Sequence, residues 1–262
     1  MKFVDAHIHL SDPEYEMLID KIIEDAQKSN IVALVSNSMN LQTSLQSIKL
    51  AEKHPKLVYA ALGIHPWNTK KLLPDELEHV VNLILSCKQY ERITAIGEIG
   101  IDYKYVKGKK KELLNMQYEV FYRMLQLCEK LSLPAIIHSR GTTPEVVEIL
   151  SSYDIKKVLL HWFTNPIKLL PKIIDRGYYI TEGLPTVYSS QIQGIIRQVP
   201  LSNLLTETDG PVRFFKPPFK GEITTPAFIP FIIDAVAKIR KKSKAEVAEQ
   251  IFKNFLTFFE IK

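Results

Sequence analysis

Cysteine is scarce in this chain, with two residues in 262, Cys87 and Cys128. They lie in separate helix-like segments without CxxC spacing, which argues against a disulfide-stapled fold and is typical of a reducing compartment. No apolar run approaches the length of a membrane span, and the residues after Met1 lack the apolar core of a signal peptide. We therefore expect a cytoplasmic protein that does not bind membranes.

A strong excess of charge of one sign is also missing, since the formal net charge is +5. Much of this excess lies in residues 238–244, which we interpret as a solvated helix–helix junction rather than a nucleic-acid patch. Hydrophobic residues make up 46% of the chain, enough for a sizeable core without disulfides or an obligate protein partner. No linker or composition break divides the sequence, so we expect one domain over residues 1–262.

Short apolar runs rich in β-branched residues recur along the whole chain. Interpreted as strands, they cover residues 3–8, 31–36, 57–62, 93–98, 134–138, 157–161, 178–181 and 204–208. Stretches with helical periodicity, such as 16–23, 75–85 and 113–131, lie between them. Eight strands alternating with helices, followed by two further helices, predict an α/β fold of the (β/α)₈ barrel type. The alternative is an open doubly wound sheet, but no GxGxxG turn follows the first strand.

Two local patterns refine this prediction. A capping residue before proline, in Asp12-Pro13 and Thr143-Pro144, predicts a helix start at each place. Long polar segments, 103–111 with Lys104 and Lys107 and 211–225, follow strands 4 and 8. Because barrel active sites lie on that side, we interpret both as substrate-binding loops.

Histidines and carboxylates stand where five of the predicted strands end. They are His7 and His9 in strand 1, Glu98 in strand 4, His138 in strand 5, His161 in strand 6 and Asp209 after strand 8. Side chains alternate along a strand, so the two histidines of strand 1 point the same way and can bind one ion together. Only a closed ring brings the first and last strands together. Imidazoles and carboxylates at these ends predict a metal site inside the barrel.

The number of candidate ligands favours two ions. Five or six ligands exceed the three protein ligands that a single catalytic zinc usually takes, and Glu98 is the natural bridge. Two ions about 4 Å apart can hold a hydroxide and bind both the attacking and leaving oxygens of a phosphodiester. Mixed imidazole and carboxylate ligands fit zinc, manganese or iron better than calcium, and magnesium with retained waters stays open. We therefore expect one or two divalent ions.

At these residues the chain resembles the TatD family of metal-dependent deoxyribonucleases, within the amidohydrolase-like metal-dependent hydrolases. The matching segments, in family order, are residues 5–10, 63–66, 97–103, 137–140, 160–163 and 207–211. The resemblance implies a (β/α)₈ barrel with up to two divalent ions that hydrolyses phosphodiester bonds in DNA. Carried onto this sequence, it implies the same six metal ligands. It also implies that His65 and Glu207 lie beside the metals and contact the substrate or the leaving group.

The chain departs from the family after strand 8. Many relatives carry an Arg-Asn-Glu-Pro-like stretch there, whereas residues 221–226 read Gly-Glu-Ile-Thr-Thr-Pro and lack the arginine. We expect other cations near the ligand-bearing strands to contact the substrate phosphates. The candidates are Arg140, Arg213, Lys216 and Lys220.

Three functions remain open from the sequence. The leading hypothesis is a metal-dependent deoxyribonuclease or phosphodiesterase acting on DNA or oligonucleotides, in which a metal-bound hydroxide attacks phosphorus and Asp209 accepts the proton. The catalytic candidates are then Asp209, Glu98, His65 and Glu207. The alternative is amide, ester or lactone hydrolysis, because the same ligands polarise a carbonyl group. A non-catalytic binding scaffold is the third hypothesis, disfavoured because six polar groups without an ion would be poorly compensated.

Overall fold

Eight parallel strands form one sheet in which each strand pairs with the next along the chain. The structure is a computed structural model that describes residues 1–87, 93–106, 111–164 and 167–261. The strands are β1 (Phe3–Ile8), β2 (Ile31–Asn37), β3 (Val58–Leu62), β4 (Ile93–Gly100), β5 (Ala135–His138), β6 (Val158–Leu160), β7 (Tyr179–Glu182) and β8 (Leu204–Thr206). All lie within two residues of their predicted bounds.

The backbone brings the last strand beside the first. The amide of Asp209 donates to the carbonyl oxygen of His7 at 2.9 Å, and the amide of His9 donates to Gly210 at 2.9 Å. The predicted (β/α)₈ barrel is therefore confirmed, and the residues that follow β8 lie against β1. In an open sheet these two strands would lie at opposite edges.

Helices follow the strands in the predicted alternation. They are α1 (Ile19–Lys28), α2 (Leu41–Lys53), α3 (Glu76–Ser86), α4 (Tyr103–Val106), α5 (Lys111–Leu131), α6 (Thr143–Leu150), α7 (Leu170–Asp175), α8 (Ser190–Gln198), α9 (Ile229–Arg240) and α10 (Lys244–Phe259). Capping boxes open α2 and α10, where Asn40 and Ser243 accept from backbone amides three residues ahead. The two helices after β8 are present as predicted, and α10 packs against β1 and β8.

Strand β1 shows how the core and the site share one element. Val4, Ala6 and Ile8 belong to the apolar core, while Asp5 and His7 between them are equally buried. Because β4 lies across the ring from β1, the contact of His7 with the β4 carboxylate requires His7 to point into the ring. The side chains of β1 therefore alternate as predicted, with apolar residues on the outer face of the strand and polar residues on the inner face.

Both cysteine thiols are free and buried, as expected for small apolar side chains. Among the residues that the structure describes, no helix combines the length and apolar composition needed to span a bilayer.

Candidate metal centre

The carboxylate of Glu98, in β4, lies at the middle of the polar cluster and is 1% exposed. Its Oε2 atom lies 3.3 Å from Nε2 of His7 and 3.1 Å from Nε2 of His9. These two nitrogens are 3.4 Å apart and lie 3.4 and 3.6 Å from Oδ1 of Asp209. One oxygen of Glu98 therefore shares a small volume with two imidazoles and a second carboxylate.

The other oxygen of Glu98 faces a second set of imidazoles. Its Oε1 atom lies 2.6 Å from Nδ1 of His138 and 2.7 Å from Nε2 of His161. Those two nitrogens are 3.1 Å apart. His65 approaches the same oxygen with its Nε2 atom at 3.3 Å. The two oxygens of one carboxylate thus face two different sets of nitrogen atoms.

Local backbone features hold these side chains in place. Asp5 accepts hydrogen bonds from the amides of His7 and Thr208 at 3.2 and 3.1 Å, and so joins β1 to the segment after β8. Burial raises the pKa of Asp5 to about 8, although the hydrogen bond from the Thr208 hydroxyl opposes the shift. A Cβ at Gly97 would lie 2.7 Å from the Cβ of Ile136, so glycine permits the close approach of β4 and β5 beside Glu98.

The outer partners of the imidazoles determine which ring nitrogens carry protons. A backbone carbonyl can only accept, so the 3.0 Å contact with Asn37 O places the proton of His9 on Nδ1. The Nε2 atom then faces Glu98 and Asp209, where either a proton or a metal ion can bind it. His138 contacts the Asp102 carboxylate through Nε2 at 2.7 Å, which directs Nδ1 to the centre. A fixed outer hydrogen bond of this kind is typical of histidine ligands to metals.

His65 has the opposite arrangement. Its Nδ1 atom accepts a hydrogen bond from the Trp67 amide at 3.0 Å, so in the neutral ring the proton lies on Nε2. Burial lowers the pKa of His65 to about 4, which keeps the ring neutral. Ligand atoms of His65, Glu98 and His138 lie within 4.8 Å of one another, a distance that would suit a shared ion. The tautomer argues against this, because Nε2 carries a proton instead of a free lone pair.

The charges and unpaired atoms of the centre fit a divalent cation. Glu98 Oε2 is buried without a hydrogen-bond partner in the described part of the chain, although the Nε2 atoms of His7 and His9 lie 3.3 and 3.1 Å from it. Burial disfavours a charged His9, yet the Glu98 carboxylate outweighs this and raises the pKa of His9 to about 9. Burial likewise opposes ionisation of Glu98, but the surrounding imidazoles, His161 foremost, hold its pKa well below the usual range. The cluster therefore has an anionic centre that attracts positive charge.

A cavity of about 750 Å³ opens over the cluster at the carboxyl ends of the strands. Predicted ligands that reach its wall include His9, Glu98, His138, His161 and Asp209, together with His65. The cations Lys104, Arg140 and Arg213 also line it, whereas Lys216 and Lys220 are not among its lining residues. Lys107 lies outside the described residues.

The two arginines of the cavity are held differently. Arg140 donates from Nε to Asp102 at 2.7 Å, and its guanidinium lies over the ring of Tyr105 at 4.5 Å from the centroid. Its side chain is 39% exposed, so the remaining N–H groups can reach a ligand. Arg213 forms an ion pair with Glu14, which also lines the cavity. Asp102 therefore links Arg140 to His138 and so to the polar cluster.

Glu207 lies behind His161 and does not form part of the cavity wall as described. Its Oε2 atom accepts a hydrogen bond from Thr181 at 2.5 Å and lies 3.6 Å from Nδ1 of His161. The structure thus brings Glu207 next to a predicted ligand, on the side away from the cavity.

Asp102 and Asn37 were not identified as site residues from the sequence. Asp102 links His138 to Arg140, and Asn37 contacts His9 through a backbone carbonyl. A signal existed for Asp102, a carboxylate two residues beyond the end of β4. None existed for Asn37, since any residue type supplies a carbonyl oxygen.

Buried imidazoles and carboxylates at the carboxyl ends of barrel strands are typical of the active sites of metal-dependent hydrolases. The family model described as TatD related DNase matches residues 4–260. The chain belongs to the TatD family and is a metal-dependent hydrolase.

Relatives agree with this assignment, and a solved structure has the same fold. The chain is 31% identical to the metal-dependent hydrolase MJ1582 of Methanocaldococcus jannaschii, covering 99% of this chain and 98% of that one. It is 30% identical to Deoxyribonuclease TATDN3 of Homo sapiens, covering 98% and 94%. The crystal structure of YJJV, a TatD homolog from Escherichia coli K12, has the same fold with a TM-score of 0.89, 24% identity and coverage of 99% and 98%.

Proposed function

We propose that the chain is a deoxyribonuclease that hydrolyses phosphodiester bonds with two divalent ions bound on either side of Glu98. The observation that carries this proposal is the division of the imidazoles between the two carboxylate oxygens. His7 and His9 face Oε2, whereas His138 and His161 face Oε1. Asp209 contributes to the first set. Imidazole with carboxylate favours zinc or manganese, with magnesium as the alternative.

The residues around the ions have distinct roles in this proposal. Divalent ions bound here would polarise the phosphoryl group and activate water. Asp209 lines the cavity and can accept the proton of the attacking water. His65, through Nε2–H, donates a hydrogen bond to an oxygen of the substrate or the leaving group. Glu207 orients His161 from behind.

Arg140 takes the place of the arginine that the chain lacks after β8. Its Nε is bound to Asp102 and its guanidinium rests on Tyr105, so the side chain needs little ordering to bind an anion. The guanidinium can bind a phosphate through two parallel hydrogen bonds. Arg213, Lys216 and Lys220 would then contact phosphates further along the strand. That residues 1–262 form one cytoplasmic domain without an obligate protein partner stays a prediction.

The proposal is tested by comparing three substrates with one preparation of protein. The protein is loaded separately with zinc, manganese and magnesium and assayed on a single-stranded oligodeoxynucleotide, a small phosphodiester and an N-acyl amino acid. We expect metal-dependent cleavage of the first two that is lost with a chelator and restored by the ion. Glu98→Ala should lose both turnover and bound metal, because both sets of ligands share that carboxylate. Turnover of the N-acyl amino acid without cleavage of either phosphodiester would instead identify an amide hydrolase.

A further inference from the structure

The cavity has an exposed aromatic side chain that the core does not use. Phe215 lines the cavity and is 89% exposed, the highest value among the aromatic residues that the structure describes. Single exposed apolar side chains are common on proteins and need no function. Phe215 differs from an ordinary surface residue because it stands on the wall of the substrate cavity and because its loop holds it there.

The loop after β8 anchors Phe215 on both sides. Phe214 and Phe219 are each 6% exposed and belong to the core, so the segment between them projects from two fixed points. The amide of Gly221 donates to the carbonyl oxygen of Phe214 at 2.9 Å and closes the base of this projection. Pro217 and Pro218 restrict the backbone within it. A ligand that contacts Phe215 therefore loses little binding energy to ordering the loop.

A second aromatic residue and two cations complete the arrangement. Trp162 lines the same cavity and packs on Phe214, with ring centroids 5.9 Å apart. Lys104 and Arg140 line the cavity as well. Cations bind phosphate groups, and aromatic rings stack on unpaired bases. The cavity can therefore bind both the phosphate and the base of a nucleotide.

We propose that Phe215 stacks on an unpaired nucleobase beside the phosphodiester that is cleaved, with Trp162 extending the same aromatic wall. This inference rests on the proposed function. A base in a duplex is already stacked on both faces, so the contact requires an unpaired strand. Stacking on a side chain discriminates poorly among the four bases, since each has a π-face. Phe215 therefore favours single-stranded over double-stranded substrates, while the metal centre carries out the hydrolysis.

The test combines a side-chain change with a substrate change. Phe215→Ala should raise KM for a single-stranded oligodeoxynucleotide about tenfold, with kcat nearly unchanged, and Phe215→Trp should restore it. A second substrate has the same length and charge but carries an abasic residue at every position. On this substrate, and on a small phosphodiester, Phe215→Ala and the wild type should behave alike. The matched control is Tyr122→Ala, which removes a 40% exposed aromatic ring of α5 that is not among the cavity-lining residues.

Each outcome has a separate meaning. If the wild type cleaves the oligonucleotide and Phe215→Ala does so equally well, the stacking inference is wrong while the proposed function stands. An equal loss on intact and abasic substrates would show that Phe215 supports the loop and does not contact a base. If the wild type cleaves no DNA, the proposed function fails. Binding of the two labelled strands, measured by fluorescence anisotropy, then tests Phe215 alone, and equal affinity of Phe215→Ala and wild type for the intact strand would overturn the inference.

Discussion

Each imidazole in the metal centre has its own surroundings. In two cases an acceptor outside the centre binds one ring N–H group, and the other ring nitrogen faces the centre. Asn37 O does this for His9 and the Asp102 carboxylate does it for His138. The Trp67 amide does the reverse for His65, because a donor occupies Nδ1 and the proton must lie on Nε2. Residues of one type at equivalent strand ends therefore have different chemistry.

This difference predicts unequal effects of substitution. His65→Ala should lower kcat about a hundredfold, since a hydrogen-bond donor to the reacting groups is lost, while bound metal stays near the wild-type amount. His138→Ala should release metal, because a ring whose free nitrogen faces the centre is removed. Metal content by atomic spectroscopy and kcat from the same preparations distinguish the two variants. Loss of metal in His65→Ala would show that His65 is a ligand and that the tautomer argument is wrong.

At the scale of secondary structure, the ends of β7 and β8 bring two carboxyl groups together below the surface. Glu182 pairs in register with Thr206, and its carbonyl accepts from the Glu207 amide at 3.2 Å. Both side-chain oxygens of Glu182 are buried without a hydrogen-bond partner in the described residues. Burial, with a smaller contribution from Glu207, raises the pKa of Glu182 well above its ordinary value of 4.5. In the folded protein the Glu182 side chain therefore favours its protonated, neutral form.

A raised carboxyl pKa makes stability fall as pH rises. Below pH 4.5 the group is protonated in both the folded and the unfolded chain, whereas above it the unfolded chain ionises and the folded chain does not. Each pH unit in this range costs the folded state up to about 1.4 kcal/mol. Glu182→Gln, which cannot ionise, should gain stability relative to the wild type as the pH rises from 5 to 8, because only the wild type loses stability over this range.

Urea denaturation of both proteins at the two pH values, in the same metal buffer, measures this difference. Glu119→Gln is a suitable comparison, because it removes the same charge from an exposed side chain of α5. A free-energy difference between Glu182→Gln and wild type that does not change with pH would contradict the raised pKa.

The strands and the predicted ligands could be identified from the sequence because both depend on local patterns. Apolar β-branched runs gave the strands, and their carboxyl ends gave the histidines. The helix start predicted at Asp12-Pro13 was wrong in type, since Pro13–Tyr15 is a short 3₁₀ turn and α1 begins at Ile19. Tyr15 is buried there and donates to the carbonyl oxygen of Thr224, a contact between distant parts of the chain that no local pattern contains.

The outer partners of the site were missed for the same reason. Asp102 and His138 are 36 residues apart, and His9 and Asn37 are 28 apart. Strand ends predict which side chains reach the barrel mouth, but the proton on each ring depends on neighbours that only the closed barrel supplies.

For the whole molecule, we expect DNA binding to depend on where the positive charges lie more than on the net charge. Lys244 lies over the ring of Phe3, at the start of β1 and therefore at the end of the barrel away from the cavity. Arg240 donates to carbonyl oxygens at the end of α8, including that of Val199 at 2.6 Å. These contacts agree with a helix–helix junction over residues 238–244. Lys104 and Arg140 instead line the cavity.

Salt dependence of cleavage should separate these two groups of cations. Each phosphate contact with a single strand releases counterions and contributes about 0.7 to the slope of log(kcat/KM) against log[salt]. Lys104→Gln and Arg140→Gln should each reduce this slope by about that amount, because each removes one contact in the cavity. Lys241→Gln and Lys244→Gln remove the same charge at the opposite end and should leave the slope unchanged. If all four variants reduce it equally, attraction by the net charge steers DNA to the protein, and the cavity cations do not bind phosphate individually.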